Sequence, residues 1–203
     1  MGIVIRPERP EDYYASELVT KRAFWNHYRP GCDEHYLVHK LRDDPDYLPV
    51  LTRVAEADGR IVGLIMYAKA CLKTEEAEIP VILFGPLGVD PDWQRQGIGG
   101  MLLKDSLQAA REMGHRGVII FGDPGYYPRF GFRPCSEWGI TTADGGNSPA
   151  FMGLALVPGG LDYPGARFYV PPVYEDLPPD EVEAFDKGFP YMEKLRLPGQ
   201  MAE

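Results

Sequence analysis

Apolar residues along this chain occur partly in short continuous runs and partly at helical spacing, and their order predicts a mixed α/β domain. "IVIRP" opens as a strand, and "EDYYASELVTKRAFWNHY" follows as a helix because Tyr14, Leu18, Trp25 and Tyr28 recur at helical spacing. Asp33 is placed to cap a second helix through "EHYLVHKLRDD", with Leu37 and Leu41 one turn apart and Pro45 and Pro49 stopping it. "LTRVAEA" and "RIVGLIMYAKA" flank Asp58-Gly59, the usual chemistry of a tight antiparallel hairpin. The next strand, "EIPVILFGPLGV", contains Pro80 and Pro86, which donate no ladder hydrogen bonds, so it must be irregular, bulged or at an edge.

From Gly97 to Met113, "GIGGMLLKDSLQAAREM" sets Met101, Leu102, Ala109 and Met113 among helix formers, and Gly114 supplies a left-handed stop. "GVIIF" is a short buried strand, "PGYYPRF" a turn or short helix, and "FMGLAL" a further strand. Beyond Val157 the chain turns rich in proline, glycine and aromatics, which predicts a hairpin and a short helix packed on the domain. The division expected is a domain over residues 1–157 and a C-terminal extension over 158–203. No internal repeat is present.

Composition narrows the function. At 203 residues and 44% apolar the chain can build one sizeable core, and no apolar run approaches a membrane span. The N-terminus "MGIVIRPERPED" lacks the pattern of a secretory signal, so a cytoplasmic location is expected. Cys32, Cys71 and Cys135 are odd in number and far apart, which suits buried thiols better than disulfides or zinc. The four histidines show no metal spacing and read as surface or packing residues. A net charge of −9 disfavours nucleic acid and leans toward a cationic or neutral substrate.

The chemistry concentrates in "LFGPLGVDPDWQRQGIGGML", where a strand runs through polar residues into a glycine cluster that opens a helix. The first turn of a helix exposes unpaired N–H groups at the positive end of its dipole, a natural place for phosphate. Gly97, Gly99 and Gly100 keep side chains off those groups and Arg95 adds a cation; a plain glycine-rich loop would read the same way. A P-loop is excluded, because Met101 and Leu102 stand where Lys and Ser or Thr are needed. A dinucleotide fingerprint would require glycine at Leu102 and would begin at the strand end, whereas "DPDWQRQ" intervenes. Asp123 alone sits where a ribose-binding acid would.

Gln94, Gly97 and Gly99 fill the pattern Gln/Arg-x-x-Gly-x-Gly/Ala, and "YYPRFGF" follows in order as a Tyr-x-x-x-Gly-Phe segment. On these motifs the chain resembles the GNAT acetyltransferase superfamily, closest to its YhbS-like bacterial branch, over roughly residues 3 to 157. The resemblance implies a mixed sheet flanked by helices and splayed between its fourth and fifth strands, with acetyl-CoA as cofactor. Leu87, Gly88 and Val89 would then offer backbone groups to the pantetheine arm, and the amides of Arg95, Gln96, Gly97, Ile98, Gly99 and Gly100 would hold the pyrophosphate. Tyr127 takes the position of the tyrosine acid that protonates the departing thiolate, with Tyr126 as the alternative.

"GDP" departs from the asparagine usual after the fifth strand, which leaves Asp123 facing either cofactor or substrate. The general base stays open among Glu76, Glu78, Asp123 and a water. The implied activity is acetyl transfer to a primary amine, most simply that of a small molecule, without membrane or nucleic-acid partners. A non-catalytic acyl-CoA-binding module would keep the same groove, and a nicotinamide enzyme is disfavoured by Leu102. The aromatic tail is expected to be ordered, covering the acceptor side or pairing two copies as a homodimer.

Overall fold

A computed structural model describes residues 2–201. Its centre is a nine-stranded mixed sheet in the order β1-β2-β3-β4-β5-β8-β6, with β9 and β7 attached at the far end of β3. The elements run β1 (Ile3–Pro7), α1 (Tyr13–Phe24), α2 (Glu34–Leu41), β2 (Arg53–Ala57), β3 (Arg60–Lys73) and β4 (Glu78–Val89). There follow α3 (Ile98–Glu112), β5 (Gly117–Phe121), β6 (Arg133–Pro134), β7 (Thr141–Thr142), β8 (Phe151–Ala155), β9 (Arg167–Tyr169) and α4 (Pro179–Asp186). The β2–β3 hairpin turns on Asp58 and Gly59, both at positive φ (50° and 75°), as a two-residue primed turn demands.

The two-residue period of β3 builds both layers of the core. Leu64, Met66 and Ala68 face one cluster with Leu37, Leu41 and Phe168, while Ile65 and Tyr67 face another with Leu102, Val118 and Phe132. The irregularity expected of the proline-bearing strand is present, but at the centre of the sheet and not at an edge. Between Ile65 and Tyr67 on β3, its partner β4 advances from Leu87 to Phe84, so the Gly85-Pro86 region carries one extra residue. On its other side β4 meets β5 in parallel at a single register position, Ile82 opposite Val118. Past that point the two strands diverge, and the cleft between them is the site described below.

Helix α1 ends earlier than its apolar spacing suggests and buries a different face. Trp25 leaves the helical region at ψ 123°, and Asn26 has φ 59°. Tyr14 and Tyr28 are exposed, whereas Ser16, Glu17, Thr20 and Lys21 are buried. A polar face can be buried because most of its groups have partners, the Ser16 hydroxyl excepted. The Thr20 hydroxyl donates to the Ser16 carbonyl at 2.8 Å, and Arg42 joins Glu17 and Glu8 at 2.5 and 2.8 Å. Asp33 makes no side-chain cap on α2; it pairs with Arg29 instead.

The chain beyond Val157 contributes one strand where a hairpin was expected. β9 needs no hairpin partner because Cys71–Lys73 of β3 overhang the sheet and pair with it, with β7 in parallel on its other edge. The expected helix is α4. It docks on α1 and α2 through a buried ionic cluster, in which Asp186 Oδ1 lies 2.7 Å from Lys21 Nζ and 3.2 Å from His35 Nε2. Both approaches are off the hydrogen-bond axis, so Lys21 and Asp186 form an ion pair by distance and the His35 contact is that of a neutral imidazole. Lys21 Nζ also donates to the Pro190 carbonyl at 3.0 Å and sits over the Trp25 ring.

Cys32 Sγ is 3.4 Å from His35 Nδ1, which completes a Cys–His–Asp line without nucleophilic chemistry. Burial holds the thiol protonated well above its ordinary range and lowers the imidazole to about 4. No helix among the described residues is long and apolar enough to cross a membrane.

Candidate active site

The turn between β4 and α3 is shaped by backbone. Asp90 accepts from the Asp92 N–H at 3.0 Å to start it, and the Gln94 side-chain amide donates back to the Val89 carbonyl at 3.0 Å to close it. Arg95 (φ 61°) and Gly97 (φ 83°) both adopt the left-handed conformation, which turns successive N–H groups toward one side. The N–H groups of Arg95 through Gly100 donate to no acceptor among the described residues. Ile98 is fully buried and anchors the helix start from beneath, while Gln94 to Gly97 are exposed. The result is an amide cradle of the kind that binds a diphosphate.

Gly99 and Gly88 are small for separate reasons. A Cβ on Gly99 would lie 3.1 Å from the Tyr126 hydroxyl, so that phenol rests over the helix start. A Cβ on Gly88 would press on Ala23 and Phe24 at 3.3 Å, so Gly88 lets α1 lie against β4. Leu87, Gly88 and Val89 are laddered to β3 on one edge, and their other edge borders the cleft. The carbonyl of Val89 is already engaged by Gln94.

A cavity of about 620 Å³ opens from this cleft, and a second of about 410 Å³ adjoins it beneath the loop after α1. Both share Phe24, Tyr28, Leu87, Val89 and Gln94, so they form one groove that reaches the β4–α3 turn at Gln94. Tyr127 stands where the strands part. Its ring lies on Gly122 at the end of β5, where a Cβ would come within 2.3 Å, and it packs against Phe84 of β4 and Phe132. Asp123 sets this geometry, its side chain accepting from the Gly125 N–H at 2.7 Å and its carbonyl from the N–H groups of Tyr126 and Tyr127. The Tyr127 hydroxyl makes no hydrogen bond to the described residues, and burial pushes its pKa well above the usual phenol range.

Of the carboxylates named from sequence, only Asp123 lines the cavity. Glu76 and Glu78 lie at the opposite, solvent-exposed end of β4, where Glu78 pairs with Lys73 at 2.6 Å. Glu34 was missed. It is the first residue of α2 and lines the cavity with its carboxyl raised to about 7 by burial and by the charge of Asp33. Val170, Tyr174 and Glu175 of the C-terminal segment form the remaining wall, and the Tyr174 hydroxyl donates to the Gly85 carbonyl at 2.9 Å. Nothing local marks these residues, because only the pairing of β9 with β3 carries them to the cleft.

A mixed sheet parted between parallel strands, with an amide cradle at the mouth of the cleft, defines a GNAT-type acyltransferase fold. Residues 49–134 match the family model described as an acetyltransferase (GNAT) domain. The uncharacterized N-acetyltransferase YjhQ of Escherichia coli is 36% identical over 100 residues, which are 49% of this chain and 55% of YjhQ, so the match spans about half that relative's length. The crystal structure of YhbS from Escherichia coli in complex with CoA superposes with a TM-score of 0.75 at 25% identity, covering 87% of this chain and 93% of that one. A GNAT family acetyltransferase from Brucella melitensis, solved with acetyl-CoA, gives 0.69 at 30% identity, covering 85% and 98%. The chain belongs to the GNAT acetyltransferase family.

Proposed function

We propose that this protein is an acetyl-CoA-dependent N-acetyltransferase acting on the primary amine of a small molecule. The observation that carries this is the continuity of the groove: free amides at Arg95 to Gly100 lead past the unpaired edge of β4 to Tyr127 and a cavity large enough for an acceptor. When bound, acetyl-CoA supplies an activated acetyl thioester, which a neutral amine attacks to give an amide and a free thiol. The amides of Arg95 to Gly100 hold the diphosphate, and the free edge of β4 at Leu87 and Gly88 aligns the pantetheine arm. Tyr127 delivers its hydroxyl proton to the departing sulfur. The buried aromatic wall around it excludes the water that would hydrolyse the thioester.

Acetyl-CoA at a hundred times its Kd should stabilise the fold by about 2.7 kcal/mol, a rise of roughly 5–10 °C in Tm, while NAD leaves it unchanged. Gly99→Val tests the cradle, since its side chain enters the space under the Tyr126 hydroxyl. CoA affinity measured by calorimetry should fall at least about tenfold with the far-UV spectrum preserved. Equal shifts with both nucleotides, or full affinity in a folded Gly99→Val, would refute the cofactor assignment. Binding without transfer to any amine would make the chain an acyl-CoA-binding module.

A further inference from the structure

The larger cavity has a distinct composition. Its charged lining residues are Glu34, Asp123 and Glu175, and it contains no lysine, arginine or histidine. Its walls are apolar or aromatic, from Leu37, Leu83, Phe84, Phe121, Val170 and Tyr174. None of these three carboxylates pairs with a cation among the described residues, and Glu34 is the half-buried one while Asp123 and Glu175 are exposed. Asp33 beside it is paired with Arg29, whereas Glu34 forms no ion pair among the described residues and accepts only a long 3.2 Å bond from the Asp33 N–H. A half-buried carboxylate without an ion-pair partner, in the wall of an apolar cavity, is complementary to an ammonium group.

Resting on the function proposed above, we infer that the acceptor is a cationic primary amine on an apolar or aromatic body with no anionic group, and that Glu34 holds its ammonium. A carboxylate or phosphate on the acceptor would enter a space with three acids and no cation, so α-amino acids and phosphorylated amines are excluded by like charge. Glu34 takes one proton from the bound ammonium and later passes it to solvent. As the amine nitrogen forms its bond to the acetyl carbon, the carbon–sulfur bond breaks and the Tyr127 proton goes to sulfur. The second ammonium proton restores the phenol, so ammonium and thioester give amide, thiol and one released proton.

The groups facing Glu34 are Asp33 just before its helix, Arg29 and Cys32 in the preceding loop, and Tyr28 in the cavity wall. The burial and the Asp33 charge that raise its carboxyl from 4.5 to about 7 outweigh the Arg29 contribution. Between those pH values the folded state keeps a proton that the unfolded state releases, so stability falls as pH rises through the window. Glu34→Gln should therefore raise Tm above wild type at pH 8 and leave it unchanged at pH 4.

The direct test is calorimetric titration of wild type and Glu34→Gln with 2-phenylethylamine, hexylamine and phenylalanine, with and without saturating CoA. The two amines should bind wild type, phenylalanine at least about thirtyfold more weakly, and Glu34→Gln should lose about thirtyfold for the amines while its CoA affinity holds. Equal binding of phenylalanine, unchanged amine affinity in Glu34→Gln, or no amine binding in either state overturns the inference. Amine binding that depends on Glu34 in a protein that never binds CoA would instead remove the transferase function and keep the amine site.

Discussion

Tyr127→Phe should lower single-turnover acetyl transfer by roughly two to four decades, the range that general acid catalysis supplies, while CoA affinity stays nearly constant. The substitution removes one oxygen and leaves the ring on Gly122 and against Phe84 and Phe132. The raised pKa of this phenol is compatible with the role. The low-dielectric surroundings that keep Tyr127 protonated also raise the pKa of a thiol leaving beside it, so donor and acceptor shift in the same direction. The acid is thus in its active form across the neutral range, and no loss of turnover should arise from it up to pH 9.

Tyr126→Phe should do much less, because the Tyr126 hydroxyl rests over Gly99 at the cofactor turn. Its effect should appear in CoA affinity more than in the transfer step. Rapid-mixing measurements on both variants with one working amine decide the matter. Full activity in Tyr127→Phe would remove the assignment, and a large loss confined to Tyr126→Phe would move the acid one residue earlier.

Asp186→Ala should destabilise the protein by about 3–5 kcal/mol in urea unfolding, because it strands a charge that has no route to water. Lys21 has no exposed side-chain surface, and Asp186 is its one carboxylate partner at ion-pair distance among the described residues. The rest of its shell, the Pro190 carbonyl and the Trp25 and Phe189 rings, offers dipoles and π faces but no net charge. A double replacement, Lys21→Met with Asp186→Leu, should recover most of the loss, since a well-packed apolar pair avoids the desolvation penalty altogether. Equal destabilisation in the double variant would show that packing, and not the stranded ammonium, sets the cost.

The same cluster predicts a pH slope. His35 is held neutral down to about 4, whereas an unfolded histidine takes its proton near 6.5, so its own contribution to stability rises with pH between those values, opposite in sign to that of Glu34. His35→Asn should flatten that slope.

How much of this was legible in sequence depended on whether the information was local. The Asp58-Gly59 turn, the α3 helix and the turn before it each rest on backbone conformations that particular residues dictate, and all three are found at the expected positions. Helix α1 failed for an instructive reason. Its apolar residues do recur at helical spacing, but partners distant in sequence satisfy the polar groups of another face, so burial followed ion pairing and not hydropathy. One wall of the cavity was invisible because Tyr174 and Glu175 are ordinary surface-type residues until β9 pairs with β3, and Glu34 becomes part of it only once α2 is packed. Glu76 and Glu78 drew attention through proximity in sequence to β4, yet a twelve-residue strand places its two ends far apart.

The attachment of β9 to the overhang of β3 has an evolutionary corollary. The β4–α3 turn is shaped by left-handed backbone at Arg95 and Gly97 and by the Gln94 side chain, whereas one wall of the larger cavity is built from side chains after β9. On the proposed function, lineages can exchange one acceptor for another through the C-terminal segment while the β4–α3 turn changes slowly. Divergence among relatives should accordingly be steepest at Val170, Tyr174 and Glu175 and shallowest from Gln94 to Gly100.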